Sequence, residues 1–174
     1  MAYAAEHWPS HLQSAQLIVD DGFMDKLFQL YDTAGRGHPP WFAIYWKATR
    51  PYGGRPSVNA LHLTALLRHE QALSRLLQTG YELDIDARDD NGRTALIWAS
   101  EYGHERVVQM LLDKGADVNA QGDFYGNALQ AASYRGHEGV VQMLLGKGAD
   151  VNAQGGFYGN ALRAASNGSH EKVV

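Results

Sequence analysis

The chain has 174 residues, 45% of them hydrophobic and 20% charged, as expected of a folded globular protein rather than a disordered one. Its net charge of −4 gives no electrostatic reason to bind nucleic acid, and the absence of cysteine excludes disulfides, thiolate metal sites and a cysteine nucleophile. No stretch reads as a signal peptide or a membrane helix, so a cytosolic location is the default expectation.

The first 56 residues share no period with the rest. Trp8, Leu12, Ala15 and Val19 fall on one helical face, Met24, Leu27, Phe28 and Tyr31 fit a second helix, and "WFAIYWKA" suits a third. "RPYGGRPS" then reads as a connector. The expectation is a helical cap or linker over residues 1–56, followed by repeats over 57–174.

From Asn59 onward the chain repeats itself. Thr94, Asn127 and Asn160, each followed by Ala-Leu, are spaced 33 residues apart. The stretches 94–126 and 127–159 are identical at 25 of 33 positions, so the copies descend from one unit. An older copy starts at Asn59, 35 residues before Thr94. The expected units are 57–89, 90–122, 123–155 and a truncated 156–174. Within a unit, "TALIWASEY" predicts a short helix capped by Thr94, with Asn as the cap in the other copies. Gly103 and Gly136 are placed to stop that helix. "HERVVQMLLDKG" predicts a second helix whose Val107, Val108, Met110, Leu111 and Leu112 make a broad apolar face. "ADVNAQGDFYG" is extended and turn-rich, as a projecting finger would be. One such helix pair cannot bury its own apolar face, whereas stacked copies can. The fold class expected is therefore all-α, a solenoid.

The period, "GHE" at 103–105 and 136–138, "VVQMLL", and "KGADVNA" at 114–120 and 147–153 resemble ankyrin repeats from about residue 57 to the end of the chain. The resemblance implies a protein-protein interaction module with a concave helix face and finger loops, and no catalytic residue or cofactor. The family's Thr-Pro-Leu-His opening reads "TALI", "NALQ" and "NALR" here, and only His62 fills its His position. The bonds made there are in question for the later copies. "YAAEHWPSHL" further resembles the helical segment ahead of ankyrin arrays in fungal receptor ATPases of the NACHT type. That implies, as an alternative, the ligand-sensing part of a signalling receptor. No phosphate-binding loop is present in this sequence.

The two best copies differ at eight positions, and six of the eight lie on the first helix or the finger tip: 94, 97, 98, 101, 102 and 123. Drift on an exposed surface gives scattered changes; concentration on one face favours a surface tuned for a partner. The partner-facing residues expected on this basis are Asp90, Arg93, Ile97, Glu101, Tyr102, Asp123, Tyr125, Gln130, Tyr134, Arg135, Tyr158, Arg163 and Asn167. Phe124 and Phe157 are expected to pack finger against finger, leaving the tyrosines more exposed. The partner is a protein; nucleic acid, membrane and metal are not expected.

Other features have plainer readings. The recurring His-Glu pairs suit helix starts, since no second His follows at metal-ligating spacing. His7 and His11 read as a surface pair. Asp84, Asp86, Asp89 and Asp90 read as a solvated loop, because the pattern of a calcium loop is missing. The last copy stops at "HEKVV", without the counterpart of "QMLL". Residues beyond about 160 are expected to be the least protected.

Overall fold

Seven short helices account for the regular structure among the described residues of a computed structural model, which are 58–78, 83–122 and 124–170 together with Lys47 and Lys172. The helices expected within residues 1–56, and the connector after them, lie outside the described residues.

The helices are α1 (Ala60–Leu66), α2 (Glu70–Gln78), α3 (Ala95–Glu101), α4 (Glu105–Asp113), α5 (Ala128–Arg135), α6 (Glu138–Gly146) and α7 (Ala161–Asn167). First helices stack on first helices, α1 on α3, α3 on α5 and α5 on α7. Second helices follow beside them, α2 on α4 and α4 on α6. Leu96, Ala99 and Ser100 of α3 are buried, as are Val107, Val108, Leu111 and Leu112 of α4. The core is thus a continuous apolar seam between copies, as in a quasi-linear stack.

Each first helix starts on an oxygen-bearing cap. Asn59, Thr94, Asn127 and Asn160 accept from the amides of His62, Ile97, Gln130 and Arg163, three residues on. The caps at Asn59 and Asn127 are reciprocal, because His62 and Gln130 accept in turn from the cap's own amide.

The His-Glu pairs do more than start helices. His104 Nε2 bonds to the carbonyl of Leu66, and His137 Nε2 to the carbonyl of Glu101. Each histidine therefore ties its own turn to the end of the first helix in the preceding copy.

The loops between copies are joined by a column of side chains. Asp86 accepts from the Asp117 amide, and Asn119 accepts from the Asp150 amide while donating to the Gly148 carbonyl. The far end of the stack is thinner. Leu145 is 42% exposed, whereas Leu112, its counterpart one copy earlier, is 8% exposed.

Candidate binding face

The finger loops 88–93, 121–126 and 154–159 occupy equivalent places ahead of α3, α5 and α7, yet they are built differently. The first one turns inward around a carboxylate. Asp89 is buried, and its Oδ1 accepts from the amides of Asn91 and Arg93 at 2.9 Å. Its Oδ2 accepts from Arg93 Nε at 3.0 Å and from the Trp98 indole at 3.1 Å. The Arg93 guanidinium lies 3.6 Å from the centre of the Trp98 ring. In the next two copies the counterparts of Asp89, Arg93 and Trp98 are Gly122, Gly126 and Ala131, then Gly155, Gly159 and Ala164. All three members of the set change together because each needs the others: a buried carboxylate must be paired, and a buried indole N–H needs an acceptor. Asp89 is accordingly not part of a solvated acidic loop, and that expectation is corrected.

The second junction is also polar and closed. Glu101 is buried at the end of α3. Its Oε1 accepts from the Tyr125 hydroxyl at 3.0 Å and from Arg135 Nη2 at 2.9 Å, while Arg93 Nη1 stands 3.9 Å from Oε2. Two buried carboxylates thus face two arginines, the condition under which buried charge is tolerated. Burial and the Glu101 charge push the Tyr125 phenol up to about 12. One copy later, Tyr134 and Tyr158 occupy the places of Glu101 and Tyr125, and their rings stack at 4.5 Å. Burial and the Tyr134 hydroxyl likewise raise Tyr158.

Gln130 closes a third set of bonds. Its Oε1 accepts from the Asn127 amide, and its Nε2 donates to the carbonyls of Ala153 and Gly159 at 3.0 and 3.1 Å. His62 does the same work two junctions earlier, accepting from the Asn59 amide on Nδ1 and contacting the Ala87 and Arg93 carbonyls through Nε2. The bonds in question at "NALQ" are made, with an amide in place of an imidazole. Ile97 occupies the same position between them, fully buried, with its Cδ1 over the backbone of Gly122.

These contacts relocate much of the expected binding set. Arg93, Ile97, Glu101, Tyr125, Gln130 and Tyr158 are buried in the contacts between copies, so they are corrected from surface to interior. Their physical role is to couple one unit to the next. Tyr102 and Tyr134 are half-buried, Tyr102 stacking between Trp98 and His104. Asp90, Arg135, Arg163 and Asn167 are exposed, and Asp123 lies outside the described residues.

The outward residues that sequence reasoning missed are Phe124 and Phe157. They do pack finger on finger, their rings 5.5 Å apart and nearly parallel, and the Phe157 amide donates to the Phe124 carbonyl. Yet they are 50% and 73% exposed, while Tyr125 and Tyr158 are buried. The expected order of exposure is therefore reversed. A phenol can be buried here because Glu101 accepts from Tyr125 and the Tyr134 ring covers Tyr158; the phenylalanines at the apex are left in water.

Among the described residues no helix is long and apolar enough to cross a membrane, and no three His, Asp or Glu side chains converge as metal ligands. His7, His11 and the stretch "YAAEHWPSHL" lie outside the described residues.

Comparison with known proteins agrees with this architecture. A family model described as ankyrin repeats in three copies matches residues 47–122, and one for the ankyrin repeat matches 127–156. The first of these begins ahead of the boundary expected at residue 57. A calmodulin-binding transcription activator of Arabidopsis thaliana is 32% identical over 114 residues, 63% of this chain and 12% of that protein. A probable E3 ubiquitin-protein ligase of Oryza sativa subsp. japonica is 43% identical over 61 residues, 35% of this chain and 12% of that protein. An acyl-CoA-binding domain-containing protein of Arabidopsis thaliana is 35% identical over 60 residues, 34% of this chain and 16% of that protein. The chain thus spans a small part of each of these plant proteins, and the likeness lies in the repeats. With helix pairs stacked in register, fingers between them and both models matched along the array, this is an ankyrin-repeat protein, an all-α solenoid of the kind that serves as a protein-protein interaction module.

Proposed function

We infer that the chain holds a protein partner on the face made by the finger tips and the ends of the first helices α5 and α7. The observation that carries this reading is the Phe124–Phe157 pair. Both rings are presented to solvent at the apex of two successive fingers, over a layer of tyrosines already engaged with one another. Large aromatic side chains on a pre-formed support give contact area with little ordering cost, which is the usual character of a binding hot spot. Arg135 and Arg163, on α5 and α7, add exposed forked donors on the helices that follow these fingers.

The test compares proteins captured from a cell extract by the intact chain and by a Phe124→Ser/Phe157→Ser variant. Circular dichroism first establishes that both are folded, which is expected because the two rings are exposed. A partner retained by the intact chain and lost by the variant supports the reading; identical captures overturn it. The alternative reading, a sensor segment of a receptor ATPase, rests on the sequence resemblance of residues 3–12 alone.

A further inference from the structure

Asparagine followed by glycine occurs twice in the chain, at Asn91–Gly92 and Asn167–Gly168, and every other asparagine is followed by alanine. The dipeptide has a chemistry of its own. Glycine has no Cβ to shield its backbone nitrogen, so that nitrogen can reach the carbonyl carbon of the asparagine side chain. Both asparagines are exposed to water. What separates them is how firmly the attacking nitrogen is held.

Gly92 sits in the middle of a closed set of bonds. Its amide donates to the Asp89 carbonyl at 2.9 Å, and the amides on either side of it, of Asn91 and Arg93, donate to Asp89 Oδ1. Asp89 is itself buried and accepts from the Arg93 guanidinium and the Trp98 indole. Freeing the Gly92 nitrogen therefore means opening a buried ion pair. Helix α3, which follows, lies between α1 and α5.

Gly168 is held by the last turn of α7, its amide donating to the Ala164 carbonyl at 3.0 Å. That helix has seven residues and packs on α5. Leu162 on it is 55% exposed, whereas Leu96 and Leu129, its counterparts in α3 and α5, are 1% and 2% exposed. Opening the end of a helix so thinly covered costs only a small part of the global stability.

We propose that Asn167–Gly168 is a self-modifying site, at which α7 passes with time from a neutral to an anionic end. Hydroxide takes the Gly168 amide proton, the nitrogen attacks Asn167 Cγ, and the bond from Cγ to the side-chain nitrogen breaks. That nitrogen leaves as ammonia, its added proton drawn from water, and a succinimide ring remains. Water then opens the ring at either carbonyl, to aspartate or to isoaspartate. In sum one water is consumed and one ammonia released. Either product places a carboxylate at the C-terminal end of α7, where the helix dipole disfavours negative charge. Isoaspartate also lengthens the backbone by a methylene, which moves the Gly168 amide off the Ala164 carbonyl. The proposal does not depend on what the finger face binds.

Peptide mapping by mass spectrometry tests it, on the intact chain held in warm, mildly alkaline buffer beside a sample unfolded in urea. The unfolded sample gives the intrinsic rate of each dipeptide, so the ratio of the two samples reads what the fold does at each site. Aspartate and isoaspartate accumulate at 167 in the folded chain, faster as pH rises. Folding slows conversion at 91 by about ten-fold or more beyond any slowing at 167, the factor that a modest difference in opening free energy gives. Asn167→Gln removes the product there and leaves conversion at 91 as it was. Slowing at 167 as great as at 91, or no product at 167 in the folded chain while the unfolded sample converts there, overturns the proposal.

Discussion

Gly103 lies directly beneath the imidazole of His137, one copy further along the chain. A Cβ placed on Gly103 would meet three ring atoms of His137 at 2.6 to 2.8 Å, and the backbone there has φ of +70°. The same relation holds between Gly136 and His170. The "GHE" motif is therefore an interlock: glycine of one unit admits the histidine of the next, which then bonds back to the Glu101 carbonyl. Gly115 is the natural control. It too has positive φ, +87°, but nothing stands within 4 Å of its would-be Cβ.

Gly103→Ala is expected to destabilise by more than Gly115→Ala. Both replacements incur backbone strain of about 1–3 kcal/mol, and only the first also displaces His137. Urea denaturation of the two variants gives the comparison, and a cycle with His137→Ala isolates the interlock. Equal losses from the two glycines would show that His137 moves aside freely.

The Tyr125 hydroxyl and Arg135 share one oxygen of the buried Glu101. Tyr125→Phe keeps the ring and removes the donor, so it is expected to cost about 1.5–3 kcal/mol, the range for a hydrogen bond to a charged group. The same contact makes the fold alkali-sensitive. An unfolded tyrosine loses its proton near 10, whereas Tyr125 keeps its own to about 12. Between those values the folded state holds more protons, so this contribution to stability is fully present below pH 10 and declines as pH rises. Tyrosinate absorbance should show a late-titrating phase that shrinks in Tyr125→Phe. A variant with unchanged titration would place that phase elsewhere.

The repeat was legible because its signals recur: cap oxygens, paired valines and leucines, and turn glycines at one spacing. The face was only half legible, for a physical reason. Positions 97, 98, 101 and 102 share a helix side, and helix geometry alone does not say whether that side meets water or the next copy. Trp98 with Asp89 and Arg93, Glu101 with Tyr125, and Tyr134 with Tyr158 are contacts between segments; the first set changes as a whole from copy to copy, while the tyrosine at 125 and 158 is kept and its partner changes from Glu101 to Tyr134. Concentrated differences between copies then reflect which partner sits across the junction as much as any tuned surface. The buried state of Glu101 left no trace in the sequence, because its partner is tyrosine in both copies, at 125 and 158, and only Glu101 itself changes, to Tyr134. The exposure of Phe124 and Phe157 left none either.

His62 makes the first junction sensitive to acid. Its Nδ1 accepts from the Asn59 amide, so the proton must sit on Nε2, facing the carbonyls of Ala87 and Arg93. A second proton on Nδ1 would meet an N–H donor. Burial lowers the pKa of His62 from its ordinary 6.5, with the Asp89 charge and the carbonyls of Arg93 and Ala87 opposing and the Arg93 charge assisting. His104 is lowered by burial as well. Below 6.5 the unfolded chain takes up protons that the folded chain resists, so stability is fully present above that value and is lost as pH falls. Melting temperature should drop from about pH 7.5 to about pH 5.5. His62→Gln should flatten the drop, since Gln130 already makes the equivalent bonds in this fold. A slope unchanged in that variant would remove His62 from the account.

Asp86 is the one member of the loop column that is charged, and it does less than its counterpart. Asn119 accepts from the Asp150 amide and donates to the Gly148 carbonyl, 3.2 Å away. Asp86 accepts from the Asp117 amide with both oxygens but has no proton to offer the equivalent carbonyl, that of Gly115. It also adds negative charge beside Asp84 and Asp117. Asp86→Asn keeps the acceptor, supplies a donor and removes like-charge repulsion. It is expected to stabilise the stack by about 0.5–1.5 kcal/mol, the net worth of one neutral hydrogen bond, with the electrostatic share declining in high salt. Denaturation at low and high ionic strength separates the two contributions. A variant no more stable than the parent at either would mean that the Gly115 carbonyl is already satisfied by water.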